Sequence, residues 1–371
     1  MSRSKTNSLS NTEGRLLSLD FYRGAIMVFL VLESALLYEH INEIAPNWFI
    51  DQFFHHPWNG LLFWDLIQPG FMFIAGTSLA LSLSKQRQKG ITWNQSFTKQ
   101  VKRSGWLFFW GVLNYAVRPQ GLSFELWNVL TQLSFTLLVA FLIFNWKISY
   151  QIGFSMGLLL LTEILYRFTN VEGFDQPFTD QHNFGNYIDL ILMNKINGGG
   201  WVAINIIPTA AHTIWGMIAG KLILNASKEG IEKVKYFLIA GVVCLVLGYG
   251  MDWTSITPII KRISTSSFVF ASGGWCLLGL AVSYWWIDLK QHKKNLELFT
   301  IVGMNPIFIY LFFEIVGHRW FNGYVMQITD GVMGWFNSSH SLTLLVGSAA
   351  IFSLEWGMCY FLYKKRIFFK V

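Results

Sequence analysis

The chain has 371 residues, of which 53% are hydrophobic and only 13% are charged. Soluble domains normally carry about 25% charged residues, so this composition excludes an ordinary soluble protein. The formal net charge of +7 is better explained by the cytoplasmic loops of a membrane protein than by nucleic-acid binding.

Apolar runs close to 20 residues long predict an all-α, polytopic membrane helix bundle. Ten candidate helices are predicted, the third of them beginning nearer residue 101: 19–38, 60–83, 104–117, 127–146, 149–166, 200–224, 235–251, 266–287, 298–316 and 341–363. The amphipathic segment 320–336 is predicted as an interfacial or re-entrant helix, with an eleventh span as the alternative. Together these runs predict one transmembrane domain at 19–363.

Short polar segments flank this domain. Residues 1–18 have no apolar core, and we expect a cytoplasmic tail there and no cleaved signal peptide. Residues 364–371 are predicted as a second cytoplasmic, basic tail. With alternating spans, all but six of the 28 basic residues fall on one side, which predicts that both termini are cytoplasmic. The six on the outer side are Arg118, Arg167, Lys195, Lys261, Arg262 and Arg319.

Polar residues within the predicted spans are functional candidates, because ionisable groups are costly in a bilayer. Glu33 is predicted mid-helix in the first span, where it lines a polar cavity or has a structural role. The other ionisable candidates are Asp65, Glu163, His212, Glu314 and Glu355. Three pairs, Pro69-Gly70, Ile207-Pro208 and Asn305-Pro306, are predicted to break or kink spans. This pattern predicts a polar chamber, as in a transporter or a membrane enzyme, with the outer loop 167–199 as a lid.

The stretch "FFHHPWNGLLFWD", residues 53–65, allows three interpretations. A metal site is poorly supported, because adjacent histidines point in different directions and no cysteine lies nearby. Interfacial residues fit well, since tryptophans surround them. A catalytic base also fits, because a histidine stands close to Asp65 beside a predicted polar cleft. The three cysteines are expected to be small buried thiols.

Several strings resemble the heparan-alpha-glucosaminide N-acetyltransferase family, and its bacterial branch most of all. They are "RLLSLDFYRG" (15–24), "HHPWNGLLFWDLIQPGFMFIAGTSLALSL" (55–83), "GNYIDLILMN" (185–194), "PIIKRISTSSFVFASGG" (258–274) and "VGMNPIFIY" (302–310). The resemblance covers nearly the whole chain. It implies an enzyme of the inner membrane that moves acetyl from cytoplasmic acetyl-CoA to a glucosamine amine or related glycan on the outer side.

The resemblance also implies roles for single residues. The family's catalytic histidine corresponds to His55, with His56 as an extra histidine. The family's asparagine near the end of the first helix corresponds to Ser34, so its neighbour Glu33 is expected to take over an orienting or proton-accepting role. Gln68 replaces an apolar residue, which implies a more polar cavity. The eukaryotic members imply a homodimer.

The expected site has three parts, and no metal is expected. The catalytic set is His55, Glu33, Ser34 and Asp65. The acceptor-binding set is Trp58, Asn59, His56, Asp189, His212 and Asn305. Basic residues at helix starts, with one acid, are expected to hold acetyl-CoA: Asp20, Arg23, Lys102 and Arg103. Asn59 is a candidate for stabilising an oxyanion. Direct transfer and an acetyl-histidine intermediate both remain open, and a transporter of N-acetylglucosamine or a related sugar is the alternative function.

Overall fold

A computed structural model describes residues 16–118 and 121–369 of the chain. Within these ranges the chain is mostly helical, with one two-stranded ribbon formed by β1 (Val117–Arg118) and β2 (Gly121–Leu122). The α-helices in chain order are α1 (Leu17–Ser34), α2 (Leu37–Ile44), α3 (Trp48–Asp51), α4 (Ile67–Gln88), α5 (Trp93–Ala116), α6 (Val129–Leu142), α7 (Ile148–Phe168), α8 (Phe184–Met193), α9 (Ile206–Leu224), α10 (Gly230–Trp253), α11 (Ser266–Ser283), α12 (Glu297–Gly303), α13 (Pro306–Phe312), α14 (Asn322–Trp335) and α15 (His340–Lys364).

The centre of the bundle is the close pair α4 and α9, which are in contact along their lengths. Glycines make this approach possible. A Cβ at Gly76 would collide with the carbonyl of Thr213, and one at Gly216 would collide with the carbonyl of Phe73. Small residues at such contacts are typical of membrane helices, where dispersion forces and backbone proximity replace the hydrophobic effect. Elsewhere α10 packs along α11, α5 along α6 and α1 along α12.

The fold class is confirmed, and the chain is an integral membrane protein. Six helical segments of the described chain are long and apolar enough to cross a bilayer, and two bent helix pairs raise that number to eight. The predicted count of ten stays a prediction. All ten predicted runs overlap a helix, but α5 carries three basic residues and α6 has only 14 residues. The six segments are Phe63–Gln88, Ile148–Phe168, Ala203–Leu224, Gly230–Trp253, Ser266–Leu289 and His340–Lys364.

The first predicted helix is divided into two. Leu36 has a φ of 58°, in the left-handed region, and α1 and α2 meet there at an angle of 60°. Glu33 therefore lies in the last turn of α1, and its predicted position in mid-helix is wrong. The break places the end of α1 beside the loops that follow it.

The predicted interfacial or re-entrant segment 320–336 is not a separate helix, and its position relative to the membrane stays a prediction. The chain bends by 81° at Asn305-Pro306 and then stays helical from Pro306 to Trp335, through a π-helical turn at Phe313–Phe321. Pro69 and Pro208 do not break their spans, because each lies in the first turn of a helix, where the missing N–H has no helical partner to lose. Cys244, Cys276 and Cys359 are free thiols, and the last two are buried.

Candidate active site

His55 lies in the loop between α3 and the 3-10 turn Phe63–Leu66 that precedes α4. Gly60 shapes this loop with a φ of 137°, which side chains other than hydrogen rarely allow. A Cβ at Gly60 would lie 2.5 Å from the ring of His56. The N–H of Gly60 donates to the carbonyl of Ile259 at 2.8 Å. This bond connects residues 52–62, which we call the histidine loop, to the loop between α10 and α11.

Asp65 holds the imidazole of His55. Oδ1 of Asp65 lies 3.1 Å from Nδ1 of His55, and the Asp65 side chain is only 1% exposed. The other oxygen of Asp65 accepts the backbone N–H groups of Leu62 at 3.0 Å and His56 at 3.4 Å. These donors fix the carboxylate so that it can accept a proton carried by Nδ1 of His55, and this tautomer has a free lone pair on Nε2. A general base needs this arrangement.

Lys261 completes the cluster. Its Nζ lies 3.0 Å from Nδ1 of His55 and 3.4 Å from Oδ1 of Asp65, and its side chain is buried. The same ammonium stands 5.3 Å from the ring centroid of Trp201, whose indole meets the His55 ring edge-to-face at 5.7 Å. Three polar groups therefore converge within hydrogen-bonding range beneath one indole.

The electrostatics of this cluster keep His55 neutral near pH 7. Burial lowers the pKa of His55, the charge of Lys261 lowers it further, and Asp65 opposes both. Burial also lowers the pKa of Lys261 to about 8, although Asp65 and Glu33 favour its charged form. A neutral imidazole is the form that can accept a proton.

His55 and Lys261 open into a cavity of about 340 Å³, which we call the histidine chamber. The remaining lining combines acids, amides, phenols, indoles and apolar residues: Leu30, Glu33, Trp64, Ile67, Gln68, Phe71, Tyr115, Glu125, Trp127, Asn128, Val129, Asn197, Trp201, Tyr310 and Glu314. At its edge Glu125 pairs with Lys195 at 3.1 Å. Aromatic walls with a few convergent polar groups are typical of a site for a small polar ligand.

A second cavity of about 280 Å³, the arginine cavity, adjoins the first. Its walls are mostly apolar, and its two charged groups are Arg23 and Arg103. Arg23 donates to Oγ of Ser78 at 2.6 Å and lies 3.5 Å from Asp20. The Nε of Arg103 is buried and finds no hydrogen-bond partner among the described residues. A buried guanidinium with an unused donor fits an anionic ligand group.

Phe71, Val129 and Tyr310 line both cavities, so these three side chains stand between the two spaces. The C-terminal segment forms part of the arginine cavity through Phe369. Arg23 of α1 lines the same cavity, so the start of α1 and the segment after α15 lie at one end of the bundle. Which side of the membrane this end faces stays a prediction, as do the tails: residues 1–15 and 370–371 lie outside the described residues.

The four predicted catalytic residues do not all meet. His55 and Glu33 line the histidine chamber, and Asp65 lies directly behind His55. Ser34 points elsewhere: its Oγ lies 3.1 Å from Oε1 of Glu355 and 3.1 Å from Nδ2 of Asn322, in a fully buried cluster. Adjacent positions in the last turn of α1 point about 100° apart, so Glu33 and Ser34 reach two different polar environments.

Three predicted acceptor-binding residues belong to the histidine loop but do not line the chamber. The Nε1 of Trp58 donates to the carbonyl of Phe178 at 2.8 Å, which anchors the predicted lid. Asn59 is exposed to solvent. The ring of His56 packs against Gly60, and its buried Nδ1 has no partner among the described residues.

The other three predicted acceptor-binding residues act through neighbours or lie away from the chamber. Asp189 is fully buried and accepts the Nε1–H of the chamber residue Trp127 at 2.8 Å. His212 is buried within the bundle, 2.9 Å from Oγ of Ser272. Asn305 clamps the C-terminal segment, because its amide donates to the carbonyl of Ile367 at 3.0 Å and accepts the Phe369 N–H at 2.9 Å.

Among the residues predicted to hold acetyl-CoA, Arg23 and Arg103 line the arginine cavity and Asp20 pairs with Arg23. Lys102, in contrast, is exposed and does not line it. No three His, Cys, Asp or Glu side chains cluster as a metal site within residues 16–118 and 121–369. The expectation of no metal stays a prediction.

Sequence reasoning missed Lys261, Trp201 and Trp127 as site residues. For Lys261 a signal existed, since it is one of only six basic residues on the predicted outer side and lies in a string shared with the family. The tryptophans carry no such signal, because 17 tryptophans occur in the chain and most membrane proteins place them at interfaces.

The family model described as "Heparan-alpha-glucosaminide N-acetyltransferase, catalytic" matches residues 15–251, which include His55 and Asp65. The chain belongs to this family. Among curated proteins, heparan-alpha-glucosaminide N-acetyltransferase of Homo sapiens is 23% identical over 430 residues, covering 98% of this chain. The protein of the same name from Mus musculus is 24% identical over 426 residues, covering 97% of this chain. The chain spans 61% of the length of each relative.

Proposed function

We propose that the chain is a transmembrane N-acetyltransferase that moves acetyl from acetyl-CoA to the amine of an amino sugar or related glycan, with His55 as general base. The observation that carries this proposal is the pair of adjoining cavities. One contains His55, paired with the buried carboxylate of Asp65, and the other contains two arginines in apolar walls. Family membership and the names of the two relatives support the choice of reaction.

Acetyl-CoA would occupy the arginine cavity. Its phosphates match the guanidinium groups of Arg23 and Arg103, because Arg binds phosphate through several donors at once. The partner-free Nε of Arg103 supports this assignment. The apolar helical walls suit the long pantetheine arm, and its thioester would pass Phe71, Val129 and Tyr310, which line both cavities, to reach His55.

The acceptor would occupy the histidine chamber. The indoles of Trp127 and Trp201 offer flat faces to a sugar ring, and the carboxylates of Glu33 and Glu314 suit an amine that arrives as an ammonium ion. Glu33 would take the first proton of that ammonium. This assignment gives Glu33 the proton-accepting role that the family resemblance implies.

The transfer step then balances as follows. The neutral amine attacks the thioester carbonyl, the C–S bond breaks, and Nε2 of His55 takes the proton that the amine loses. The leaving thiolate receives that proton, so free CoA and the acetylated amine are the products. Asp65 keeps the other proton on Nδ1 throughout. In the alternative route, His55 first accepts the acetyl group itself and then passes it to the amine.

The orientation follows the loop charges: the histidine chamber faces outward and the arginine cavity faces the cytoplasm, in a bacterial inner membrane. This orientation gives the arginines access to acetyl-CoA, which is made in the cytoplasm and is too highly charged to cross a bilayer.

The test uses the full chain, purified and reconstituted in lipid nanodiscs, with acetyl-CoA and glucosamine. We expect release of free CoA thiol and formation of an N-acetylated sugar by mass spectrometry. His55→Ala should lower the rate by about 100- to 10,000-fold. His340→Ala is the matched control, because this exposed histidine lies at the start of α15, outside the lining of the chamber, where it pairs with Glu43 at 3.5 Å.

Absence of CoA release with every amino sugar offered would contradict the proposal. Uptake of N-acetylglucosamine into proteoliposomes without acetyl-CoA, at equal rates in wild type and His55→Ala, would identify the chain as a transporter instead.

A further inference from the structure

Lys261 places an ammonium group beside His55, although a histidine paired with a carboxylate needs no such cation to act as a base. Its Nζ, Nδ1 of His55 and Oδ1 of Asp65 form a triangle with sides of 3.0, 3.1 and 3.4 Å. The lysine is held there by its loop: the carbonyl of Ile259 binds the Gly60 N–H, and the Ile260 N–H donates to Oγ1 of Thr265 at 3.0 Å. The position of the ammonium is therefore built into the fold.

One carboxylate oxygen serves both nitrogens in this triangle. Nδ1 of His55 either donates its proton to Oδ1 of Asp65 at 3.1 Å or accepts a proton of the Lys261 ammonium at 3.0 Å. In the tautomer with its proton on Nδ1, the ammonium has Oδ1 of Asp65 at 3.4 Å as its partner in the triangle. If His55 becomes an imidazolium, two cations lie 3.0 Å apart on a single carboxylate. Like charges at such a distance inside a protein disfavour the second protonation.

We propose that Lys261 is a positioning residue for His55, which keeps the imidazole neutral in the resting protein and makes any proton it accepts leave readily. The functional meaning of this role rests on the proposed acetyl transfer, in which His55 must pass a proton to the leaving thiolate. The effect on the protonation of His55 does not rest on it.

Other groups face this pair from each neighbouring element. Asp65 precedes α4, and its charge favours protonation of both His55 and Lys261. Glu33 at the end of α1 favours the charged form of Lys261, whereas Arg262 in the lysine's own loop disfavours protonation of both residues. The Trp201 ring covers the ammonium at 5.3 Å and carries no net charge. Lys261 is the cation in direct contact with the imidazole, so its removal should have the larger effect.

The experiment measures how the reactivity of His55 toward diethyl pyrocarbonate depends on pH. This reagent acylates an imidazole in its neutral form and not in its protonated form. The side chain of His55 is 41% exposed and accessible to the reagent. Mass spectrometry of the labelled peptide, with fragment ions that separate His55 from His56, gives the titration midpoint in the reconstituted protein. The measurement requires no acetyl transfer.

We expect a midpoint below 6.5 in the wild type, because burial and Lys261 both lower the pKa of His55. Lys261→Met should raise the midpoint by about one unit or more. Lys261→Arg keeps the charge and should leave the midpoint near the wild-type value, whereas Asp65→Asn should lower it. Lys261→Gln serves as a second neutral variant if Lys261→Met does not fold.

The pH at which kcat/KM falls on the acid side should rise in Lys261→Met, together with the labelling midpoint. In Lys261→Arg that pH should be close to the wild-type value. A purely structural lysine would instead lower the rate equally at every pH. An unchanged midpoint in both neutral variants overturns the proposal for Lys261. A wild-type protein that labels as expected but transfers no acetyl group contradicts the proposed function and leaves the role of Lys261 supported.

Discussion

The histidine chamber and the arginine cavity adjoin each other, yet they are built differently. Loops supply the central groups of the chamber: His55 and Lys261 come from two loops tied by the Gly60–Ile259 hydrogen bond. Helices supply most of the arginine cavity, whose walls are apolar apart from Arg23, Arg103 and Ser78. The first space has many polar groups that hold one another in place, and the second has few.

Because of this difference, we assign the chemical step to the histidine chamber and the binding of acetyl-CoA to the arginine cavity. A site that moves protons needs donors and acceptors held in fixed orientations, because small displacements remove the benefit of proximity. A site that holds a long, mostly apolar ligand needs shape and one strong anchor for its charge. Substitutions in the chamber should therefore act on kcat, and substitutions in the arginine cavity should act on KM for acetyl-CoA.

The largest effect is expected from Asp65→Asn. An amide keeps the shape but removes the charge, so the Nδ1 proton of His55 loses its acceptor and the productive tautomer is no longer favoured. We expect kcat to fall by about 100- to 10,000-fold with little change in KM for acetyl-CoA. Steady-state kinetics with both substrates varied will measure this. Asp51→Asn, on exposed α3, is the control, and an equal loss in that variant would refute the assignment.

The opposite behaviour is expected from Arg103→Gln in the arginine cavity. Charged hydrogen bonds contribute about 1.5–3 kcal/mol, so KM for acetyl-CoA should rise about 10- to 100-fold while kcat is retained. Lys102→Gln is a matched control, because this neighbouring residue is exposed and does not line the cavity. A fall in kcat at unchanged KM would mean that Arg103 belongs to the chemistry and that the division between the two cavities is incorrect.

Much of this division could be predicted from the sequence. The apolar runs predict the fold class, which the structure confirms, and the sequence also predicts His55, Asp65, Arg23 and Arg103 as site residues. The structure has His55, Arg23 and Arg103 on the cavity walls and Asp65 behind His55, while their roles stay predictions. Local sequence carries this information because helices follow from hydrophobic length, and because the polar residues in such runs are few.

The remaining features depend on contacts between distant segments. Lys261 is separated from His55 by 206 positions, and no local pattern reports that their nitrogens lie 3.0 Å apart. The break at Leu36 was missed because leucine rarely adopts a left-handed conformation, so the sequence has no glycine there to mark a turn. Glu33 and Ser34 both lie before this break, in the last turn of α1, where helix geometry turns adjacent side chains about 100° apart. Which of the two directions faces the chamber depends on how α1 packs against distant segments.

A smaller effect is expected at the C-terminal wall of the arginine cavity. Asn305→Ala removes two hydrogen bonds that hold Ile367 and Phe369 in place. Each such bond contributes about 1 kcal/mol, so loosening this wall should raise KM for acetyl-CoA about fivefold. Titration of acetyl-CoA against the initial rate will measure the change, with Asn94→Ala on the exposed face of α5 as control. An unaltered KM would show that the wall does not contact the ligand.

The smallest effect on activity is expected from Ser34→Ala, although the family resemblance assigns a catalytic asparagine to this position. The hydroxyl of Ser34 contacts Glu355 and Asn322 and is absent from the chamber lining. Its loss leaves buried polar groups without a partner, so the free energy of unfolding should fall by about 1–3 kcal/mol while kcat stays unchanged. Thermal unfolding in detergent and steady-state kinetics will measure the two quantities separately.

Glu33→Gln provides the contrast, because the neighbouring carboxylate lines the chamber. We expect this variant to lower kcat and to leave the stability close to that of the wild type, since its side chain reaches open space and not a packed cluster. If Ser34→Ala lowers kcat and Glu33→Gln does not, then the asparagine position of the family has kept its role in this chain. The opposite result would mean that the adjacent residue, Glu33, has taken over that role in this chain.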